Sequence, residues 1–337
     1  MKILNDASLK SYNTFGIDVK AKRLISVETI GELREVLKNN YSEELFILGG
    51  GSNMLLTRDI PGTVLHIALR GKKIVKETEN EVFIEIMAGE NWHESVLWTL
   101  DNNWGGFENL SLIPGNTGTA PIQNIGAYGV EIKDTLVSLN AIDIQTLQMN
   151  KFSNSQCEFA YRNSIFKSKE KGRYIITSII FRLSKTNHTL HTNYGTIQEA
   201  LTGMGVKNAS IKDISNAVIK IRQEKLPDPK EIGNSGSFFK NPVISAGELA
   251  ELQKEFPNIP HYQVSQNEIK IPAGWLIEAA GLKGYREGDA GVHKNQALVL
   301  VNYGEASGRD ILNLANKVQT KVYKLFHIEL HPEVNIF

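Results

Sequence analysis

Residues 105–129 constrain this chain more than any other stretch, because no helix or strand of ordinary length can be written across them. They are rich in Gly, Pro, Asn and Ala and carry two glycine-containing turns. A connection this long inside a compact domain is either functional or disordered, and the apolar residues interleaved here argue for the first. Its core reads Ile113-Pro114-Gly115-Asn116-Thr117-Gly118-Thr119-Ala120-Pro121-Ile122-Gln123-Asn124-Ile125-Gly126-Ala127-Tyr128-Gly129. Small residues and amides of this kind can wrap a large flat ligand and present backbone N–H and C=O groups to its polar edges. A tightly turned connection is the plainer alternative.

Regular elements flank the segment on both sides. Leu45-Phe46-Ile47-Leu48 reads as a short buried strand running into Gly49-Gly50-Gly51. Thr29 to Glu32 has the form of a capping box, with Leu33, Val36 and Leu37 at helical spacing behind it. Residues 64–69 and 82–88 read as strands, Val82, Ile84 and Ile86 sharing one face. Residues 92–100 return to helical spacing. Residues 132–149 and 174–183 read as strands, so the pattern is α+β rather than a strictly parallel doubly wound sheet. Residues 187–204 read as a polar connection. Ser210 and Asp213 then cap a helix with Ile211, Ile214, Val218 and Ile221 on its apolar face, ended by Pro227 and Pro229. Further on come a helix at 273–280, a strand at 297–302 and a helix opening at Ser307. The stripe of that last helix, Ile311, Leu314, Ala315, Val318, Val322 and Leu325, reads as core.

At 337 residues the chain is long enough for two or three domains. Lys plus Arg equals Asp plus Glu, 37 against 37. Such a balance gives no global attraction to nucleic acid or an anionic membrane, so an anionic ligand must be met by a local basic cluster. The single Cys157 can form neither an internal disulfide nor a multi-cysteine metal site, and is expected to be a half-buried thiol. Charged residues precede any long apolar run at the N-terminus, and no stretch reaches the roughly 20 apolar residues of a membrane helix. A cytoplasmic protein is expected.

Several short constellations carry possible chemistry. Gly49-Gly50-Gly51-Ser52-Asn53 after a strand can approach a ligand closely. It lacks the Lys-Ser/Thr of a P-loop and the third glycine of a dinucleotide fingerprint, so a turn and an anion cradle stand level. Arg162, in Tyr161-Arg162-Asn163-Ser164, can bind a carboxylate or be a solvated charge. Arg222 and Lys225 share one face near a helix C-terminus, where they can favour the helix dipole or clamp a diphosphate. Gly233-Asn234-Ser235-Gly236-Ser237-Phe238-Phe239-Lys240-Asn241-Pro242 is not a hydrolase elbow, because the residue two after Ser235 is Ser237 rather than glycine. None of the eight histidines falls in a triad motif. Ser237 can be a proton donor beside a strongly basic carbanion, or part of a Ser-rich turn capped by a Phe-Phe core insert. Glu333 lies among apolar residues that suggest a packed C-terminus.

Taken together the segments resemble the UDP-N-acetylenolpyruvoylglucosamine reductases of bacterial cell-wall synthesis, over nearly the whole chain. The carriers, in order, are Asn13-Thr14-Phe15-Gly16, residues 49–53, 113–129, 161–164 and 233–242, Ala273-Gly274-Trp275-Leu276-Ile277-Glu278, Gly291-Val292-His293 with Asn295-Gln296-Ala297, and Pro332-Glu333-Val334. The long segment between Pro242 and Ile271, together with Tyr194-Gly195, resembles the subtype that closes a tyrosine-bearing loop over its substrate.

The resemblance implies an FAD-binding half of the vanillyl-alcohol-oxidase (PCMH) kind in two lobes, residues 1–70 and 71–208, with the PCMH-type region over about residues 17–187. It implies a separate α+β substrate domain, residues 209–337, whose last 30 or so residues pack back toward the flavin. FAD would be held non-covalently by Gly49, Gly50, Gly51, Ser52, Asn53, Pro114, Gly115, Gly118, Gln123, Asn124, Gly126, Ala127 and Tyr128. NADPH would reduce the flavin and leave. A UDP-linked enolpyruvyl sugar would take the same site and receive hydride from flavin N5 at its methylene carbon. Arg162 and Glu333 match the positions that stabilise charge in the substrate carboxylate, and Ser237 matches the proton donor. Glu333 has to be protonated, or bridged by water, to donate. Tyr194, Arg222, Lys225, Asn241, Tyr262, Lys283 and Gln296 match the UDP-sugar contacts. No metal, nucleic acid or membrane partner is implied, and a monomer is expected. Asn163 replaces an acidic residue common after the arginine, and Asn335 stands where a basic residue often follows Glu-Val.

Two rival readings remain at this stage. One is an oxidase of alcohols or sugars on the same fold; such enzymes often attach FAD through His or Cys, which neither Gly-rich segment contains. The other is a non-catalytic UDP-sugar-binding module, which needs no flavin.

Overall fold

The capping box expected at Thr29 opens the helix Ile30–Lys38, with Glu32 N–H donating to Thr29 Oγ1 at 3.1 Å. Leu33, Val36 and Leu37 face Ile25, Val27, Leu65 and Ile67 on a four-stranded sheet. Its order is Lys2–Ser8, Lys20–Val27, Ile60–Ile67 and Leu45–Leu48, the last three being mutually parallel. This arrangement belongs to a computed structural model that describes residues 1–39, 45–194 and 196–337. Gly195 of the substrate-loop expectation therefore lies outside the described residues.

The chain divides into two compact units. The first comprises Met1–Ala7, Ala21–Gly50 and Ile60–Arg222, and the second Ser8–Lys20, Gly51–Asp59 and Gln223–Phe337. The helix Ile211–Lys225 carries the chain from one to the other.

Besides the parallel sheet, the first unit holds a five-stranded antiparallel sheet in the order Met149–Ser153, Leu136–Asp143, Tyr174–Ser184, Glu81–Met87 and Lys72–Glu77. Val82, Ile84 and Ile86 are fully buried, as their alternation required. Against them packs the helix Trp92–Asp101, its Trp92 ring 4.9 Å from Phe107 and 6.1 Å from Phe181. Residues 132–149 are not one strand. A 3-10 turn occupies Ile132–Asp134, and the strand Leu136–Asp143 ends where Asp143 Oδ1 accepts the N–H groups of Gln145 and Thr146. A short acidic side chain bonded to the backbone just ahead makes a turn in place of a ladder. Residues 187–204 contain a helix, Thr196–Gly203, anchored by buried Ile197 and Leu201. Cys157 is fully buried rather than half-buried, and burial pushes its thiol up to about 12.

In the second unit, Gly233–Ser237, Val299–Asn302, Ala290–Val292 and Arg286–Glu287 form an antiparallel sheet. The helix Gly308–Phe326 buries Ile311, Leu314, Ala315, Val318 and Val322. Leu325 is 44% exposed, and Phe326 is buried in its place beside Phe256 and Trp275. A 3.6-residue period carries the stripe from Val322 to Phe326 by a step of four. The tail strand Asn335–Ile336 pairs in parallel with Met54–Leu55. Val334 is buried, whereas Ile336 and Phe337 expose their side chains and dock through backbone bonds to Leu55 and Thr57. Among the described residues no helix is long and apolar enough to cross a membrane.

Ser307 caps the helix Gly308–Phe326, in a reciprocal box with Asp310. Ser307→Ala is expected to lower the unfolding free energy by about 1 kcal/mol, read as a lower urea midpoint at unchanged slope. An unchanged midpoint would mean that the cap does not stabilise the fold.

Candidate active site

In the first unit the two glycine-rich segments come into direct contact. A Cβ on Gly50 would lie 2.8 Å from Gly115 Cα and 2.9 Å from Asn116 N, and one on Gly49 would lie 2.4 Å from Thr119 Cγ2. The segment 113–129 is itself built of single 3-10 turns at Thr117–Thr119 and Pro121–Gln123, followed by the two-residue strand Gly126–Ala127. Asn124, in a left-handed conformation, donates to Glu131 Oε2 and to the Ala160 carbonyl. Such a pair of small-residue loops is a cradle that side chains would fill, and it suits a flat dinucleotide cofactor. Gly51, Ser52 and Asn53 belong to the second unit, where Asn53 ties to the tail. Asn335 donates from its backbone and side chain to the Asn53 carbonyl at 3.3 and 2.9 Å, and Asn53 Nδ2 lies 3.5 Å from the Glu333 carbonyl.

Next to the cradle the first unit gathers cations. Arg162 sits at the tip of a hairpin in which Ala160 and Asn163 exchange backbone bonds at 3.1 Å. Its φ of 52° is left-handed, an uncommon conformation for a residue with a side chain and one that collects at functional sites. Arg222, half-buried on the helix Ile211–Lys225, lies within electrostatic reach of Arg162. Burial first, and then the like charge of Arg162, lower its affinity for the proton, against the Tyr128 hydroxyl that hydrogen-bonds it. Its Nε has no hydrogen-bond partner among the described residues. A guanidinium stays charged in a protein, so two neighbouring ones favour a bound anion. Tyr128, also left-handed, packs edge-on to Tyr194 with ring centroids 6.0 Å apart. Tyr128 thus lies with the expected substrate contacts Arg222 and Tyr194 as well as ending the cofactor segment. Tyr194 itself is largely exposed.

In the second unit Ser237 closes the strand Gly233–Ser237. The register against Val299–Asn302 shifts between Asn234 and Ser237, and Gly236 there has a φ of 70°. This local bulge turns Ser237 outward while Phe238 and Phe239 behind it are buried. Glu333 is brought beside it: Glu333 N–H donates to the Phe238 carbonyl at 2.8 Å, and Phe239 bridges Pro332. Asn241 Oδ1 accepts from Ala273 N–H at 2.9 Å at the start of the helix Ala273–Ala279. There a Cβ on Gly274 would lie 3.0 Å from Gln296 Oε1, so Asn241 and Gln296 meet at one helix end. Lys283 is paired with Glu278 at 2.9 Å. Lys225 and Tyr262 are exposed, Tyr262 on a separate three-stranded sheet.

Residues 21–146 match the FAD binding domain family, and residues 228–337 match the family described as UDP-N-acetylenolpyruvoylglucosamine reductase, C-terminal domain. The UDP-N-acetylenolpyruvoylglucosamine reductase of Flavobacterium johnsoniae is 57% identical to this chain over 336 residues, covering 100% of each. That of Pseudomonas putida is 47% identical over 332 residues, 98% of this chain and 97% of its own. The chain belongs to the UDP-N-acetylenolpyruvoylglucosamine reductase family. The structure of the Thermus caldophilus reductase, at 23% identity, aligns with a TM-score of 0.70 over 100% of this chain and 98% of that one, and so shares its fold. The FAD-binding region with a separate α+β C-terminal domain, expected from the sequence, is the fold present.

One residue escaped the sequence reading. His93, half-buried in the first turn of the helix Trp92–Asp101, accepts the Leu112 N–H on Nδ1 at 3.0 Å. Burial, and then Arg222, lower its affinity for a proton. No motif marks a bond between a helix and a turn nearly twenty residues on; the only local sign is a histidine in a capped first turn, just ahead of the segment.

Two expectations follow. Gly50→Ala should leave the protein folded but poor in flavin, because a methyl against Gly115 and Asn116 backbone must part the two loops; flavin absorbance per protein in the purified variant measures it. The second concerns pH. Burial lowers the proton affinity of His66, His93 and His293, assisted by Arg70, Arg222 and Lys294 respectively. A histidine held neutral in the fold contributes stability that is complete above its unfolded value of about 6.5 and is lost as pH falls through its folded value. Unfolding free energy should therefore fall from pH 7.5 toward 5.5, and replacing each histidine by Gln should flatten that slope. A flat wild-type curve would contradict it.

Proposed function

We propose that the chain reduces the enolpyruvyl group of UDP-N-acetylglucosamine enolpyruvate to give UDP-N-acetylmuramate, with NADPH as the electron source. The observation that carries this reading is the pair Arg162 and Arg222, like charges within electrostatic reach of one another in the unit that holds most of the FAD binding domain match, where Arg222 Nε has no hydrogen-bond partner among the described residues. A substrate with a carboxylate and a diphosphate supplies anions that two neighbouring cations attract. Residues 49–53 and the set from Pro114 to Tyr128 would hold FAD, which would supply the hydride for the substrate's methylene carbon.

The roles of the chain's own residues follow from where charge develops. Adding hydride to the methylene carbon builds negative charge on its neighbour, delocalised into the carboxylate. Arg162, and Glu333 when protonated or bridged by a water, stabilise that charge more in the transition state than in the ground state, which lowers the barrier. Ser237 gives its proton to the carbanionic carbon, and its outward placement lets water restore that proton afterwards. Arg222 and Lys225 hold the diphosphate, with Tyr194, Asn241, Tyr262, Lys283 and Gln296 contributing to the UDP-sugar. NADPH and the sugar use one site in turn, and the tyrosine-bearing segment covers the sugar.

Purified protein should be yellow, bleach with NADPH and recover its colour with the enolpyruvyl substrate under anaerobic conditions. Recovery with oxygen alone would select an oxidase, and a colourless protein a non-catalytic sugar-binding module. Ser237→Ala should bleach at the wild-type rate yet lose turnover by about 10²-fold or more. Undiminished turnover would remove Ser237 from the mechanism.

A further inference from the structure

Residues 90–93 and 110–117 are laced together within the first unit. Trp92 N–H donates to the Gly115 carbonyl at 3.0 Å, and Trp92 Nε1 to the Leu110 carbonyl at 2.9 Å. Thr117 N–H donates to the Glu90 carbonyl at 2.8 Å, and Asn91 bridges Asn116. All of these acceptors are backbone carbonyls that any sequence would offer. The bond from Leu112 N–H to His93 Nδ1 is different, because it depends on one side chain in one protonation state. It also acts at the strained point: Leu112 has a φ of 58°, a conformation that a branched side chain adopts only when its surroundings impose it. The residues that follow, Ile113, Pro114 and Gly115, lead into the contact with Gly50.

We propose that His93 is a positioning residue for the cofactor: its Nδ1 lone pair captures the Leu112 N–H, fixes the left-handed turn there, and so sets the path of the loop that holds FAD. The inference rests on the FAD-binding reading of the first unit. Because Nδ1 accepts, the ring proton must be on Nε2 and the ring must be neutral. The charged groups facing the ring favour that state. Arg222, from the helix Ile211–Lys225, repels a second proton, and Glu94, on His93's own helix, opposes it more weakly. The ring also lies in the first turn of its helix, where the dipole disfavours a cation. One neutral imidazole thus meets the cofactor loop through Nδ1 and stands beside the arginine set of the same unit.

The geometry separates this role from mere packing. Asn carries its Oδ1 where His carries Nδ1, counted along the side chain, and can accept the same N–H. Gln reaches to the place of Nε2, and Leu fills space without an acceptor. FAD dissociation constants would be measured by titrating deflavinated wild type, His93→Asn, His93→Gln and His93→Leu, with apo-protein melting followed by circular dichroism. His93→Leu and His93→Gln should bind FAD about tenfold more weakly or worse, the effect of a lost hydrogen bond to a part-buried donor. His93→Asn should stay within about threefold of wild type, even if all three variants melt earlier. Undiminished binding by His93→Leu, or an Asn variant as weak as the Leu variant, would overturn the role given to His93. A wild-type apo-protein that takes up no FAD would instead overturn the cofactor reading on which it rests.

Discussion

The close approach of two glycine-rich loops in the first unit is the constraint on which its chemistry depends. Gly49 and Gly50 end a parallel strand, and residues 115–119 pass so near that no side-chain carbon fits between them. Two consequences follow from the same vacancy. The loops can lie against one another without a hydrophobic filling, and their backbone polar groups stay at the surface of the cradle rather than behind side chains. Both strands and helices serve this contact. The parallel sheet delivers the first loop, and the helix Trp92–Asp101 restrains the second through Trp92 and His93. The buried Trp92, Phe107 and Phe181 cluster keeps that helix in place. The core of this unit is therefore arranged to hold an irregular segment at fixed geometry.

A second tension lies in the arginines. Burying Arg222 within reach of Arg162 costs desolvation and like-charge repulsion, which the Tyr128 hydroxyl opposes. Such a cost persists where a ligand repays it, and the left-handed backbone at Arg162 and Tyr128 agrees, since strained residues survive when the surroundings over-determine them. Tyr128 carries particular weight. Its backbone ends the cofactor loop, while its side chain joins Arg222 and Tyr194. A shift in that loop is thereby felt by the cation set without any long chain of intermediates.

Elements with a strict period were readable in advance. The capping box at Thr29, the helix opening at Ser307, the alternation of Val82, Ile84 and Ile86, and the apolar face of the helix from Ile211 all state a local rule that tertiary structure had no reason to break. Residues 132–149 failed because a β-rich composition hid the Asp143 turn, and Leu325 failed because the last step of three from Val322 leaves the buried face that a step of four to Phe326 keeps. The segments carrying the candidate site were legible as oddities: three glycines, a small-residue loop, a serine in a glycine turn. Their grouping was not, since Tyr128 with Arg222, or Asn241 with Gln296, are contacts of the fold that no spacing encodes. The family resemblance sets Asn241 and Gln296 in one group, but Tyr128 and Arg222 in two, and only the fold joins the latter pair.

Ser237 shows how a small departure from a regular strand can create a chemical position. A strand that alternates must put one of two successive residues inside, yet Asn234 and Ser235 are both buried, and so are Phe238 and Phe239. Two inward pairs in succession are compatible only with a break between them, and Gly236 is that break, in a conformation that residues with side chains rarely hold. Ser237 falls on the outward side of the discontinuity. The phenylalanines that follow anchor it, since Phe238 N–H is bonded to Leu298 and its carbonyl to Glu333. The same residue that seals the core thus places the serine on one side and tethers the glutamate on the other. A substitution that restored regular alternation would have to give up either the buried Phe pair or the outward serine.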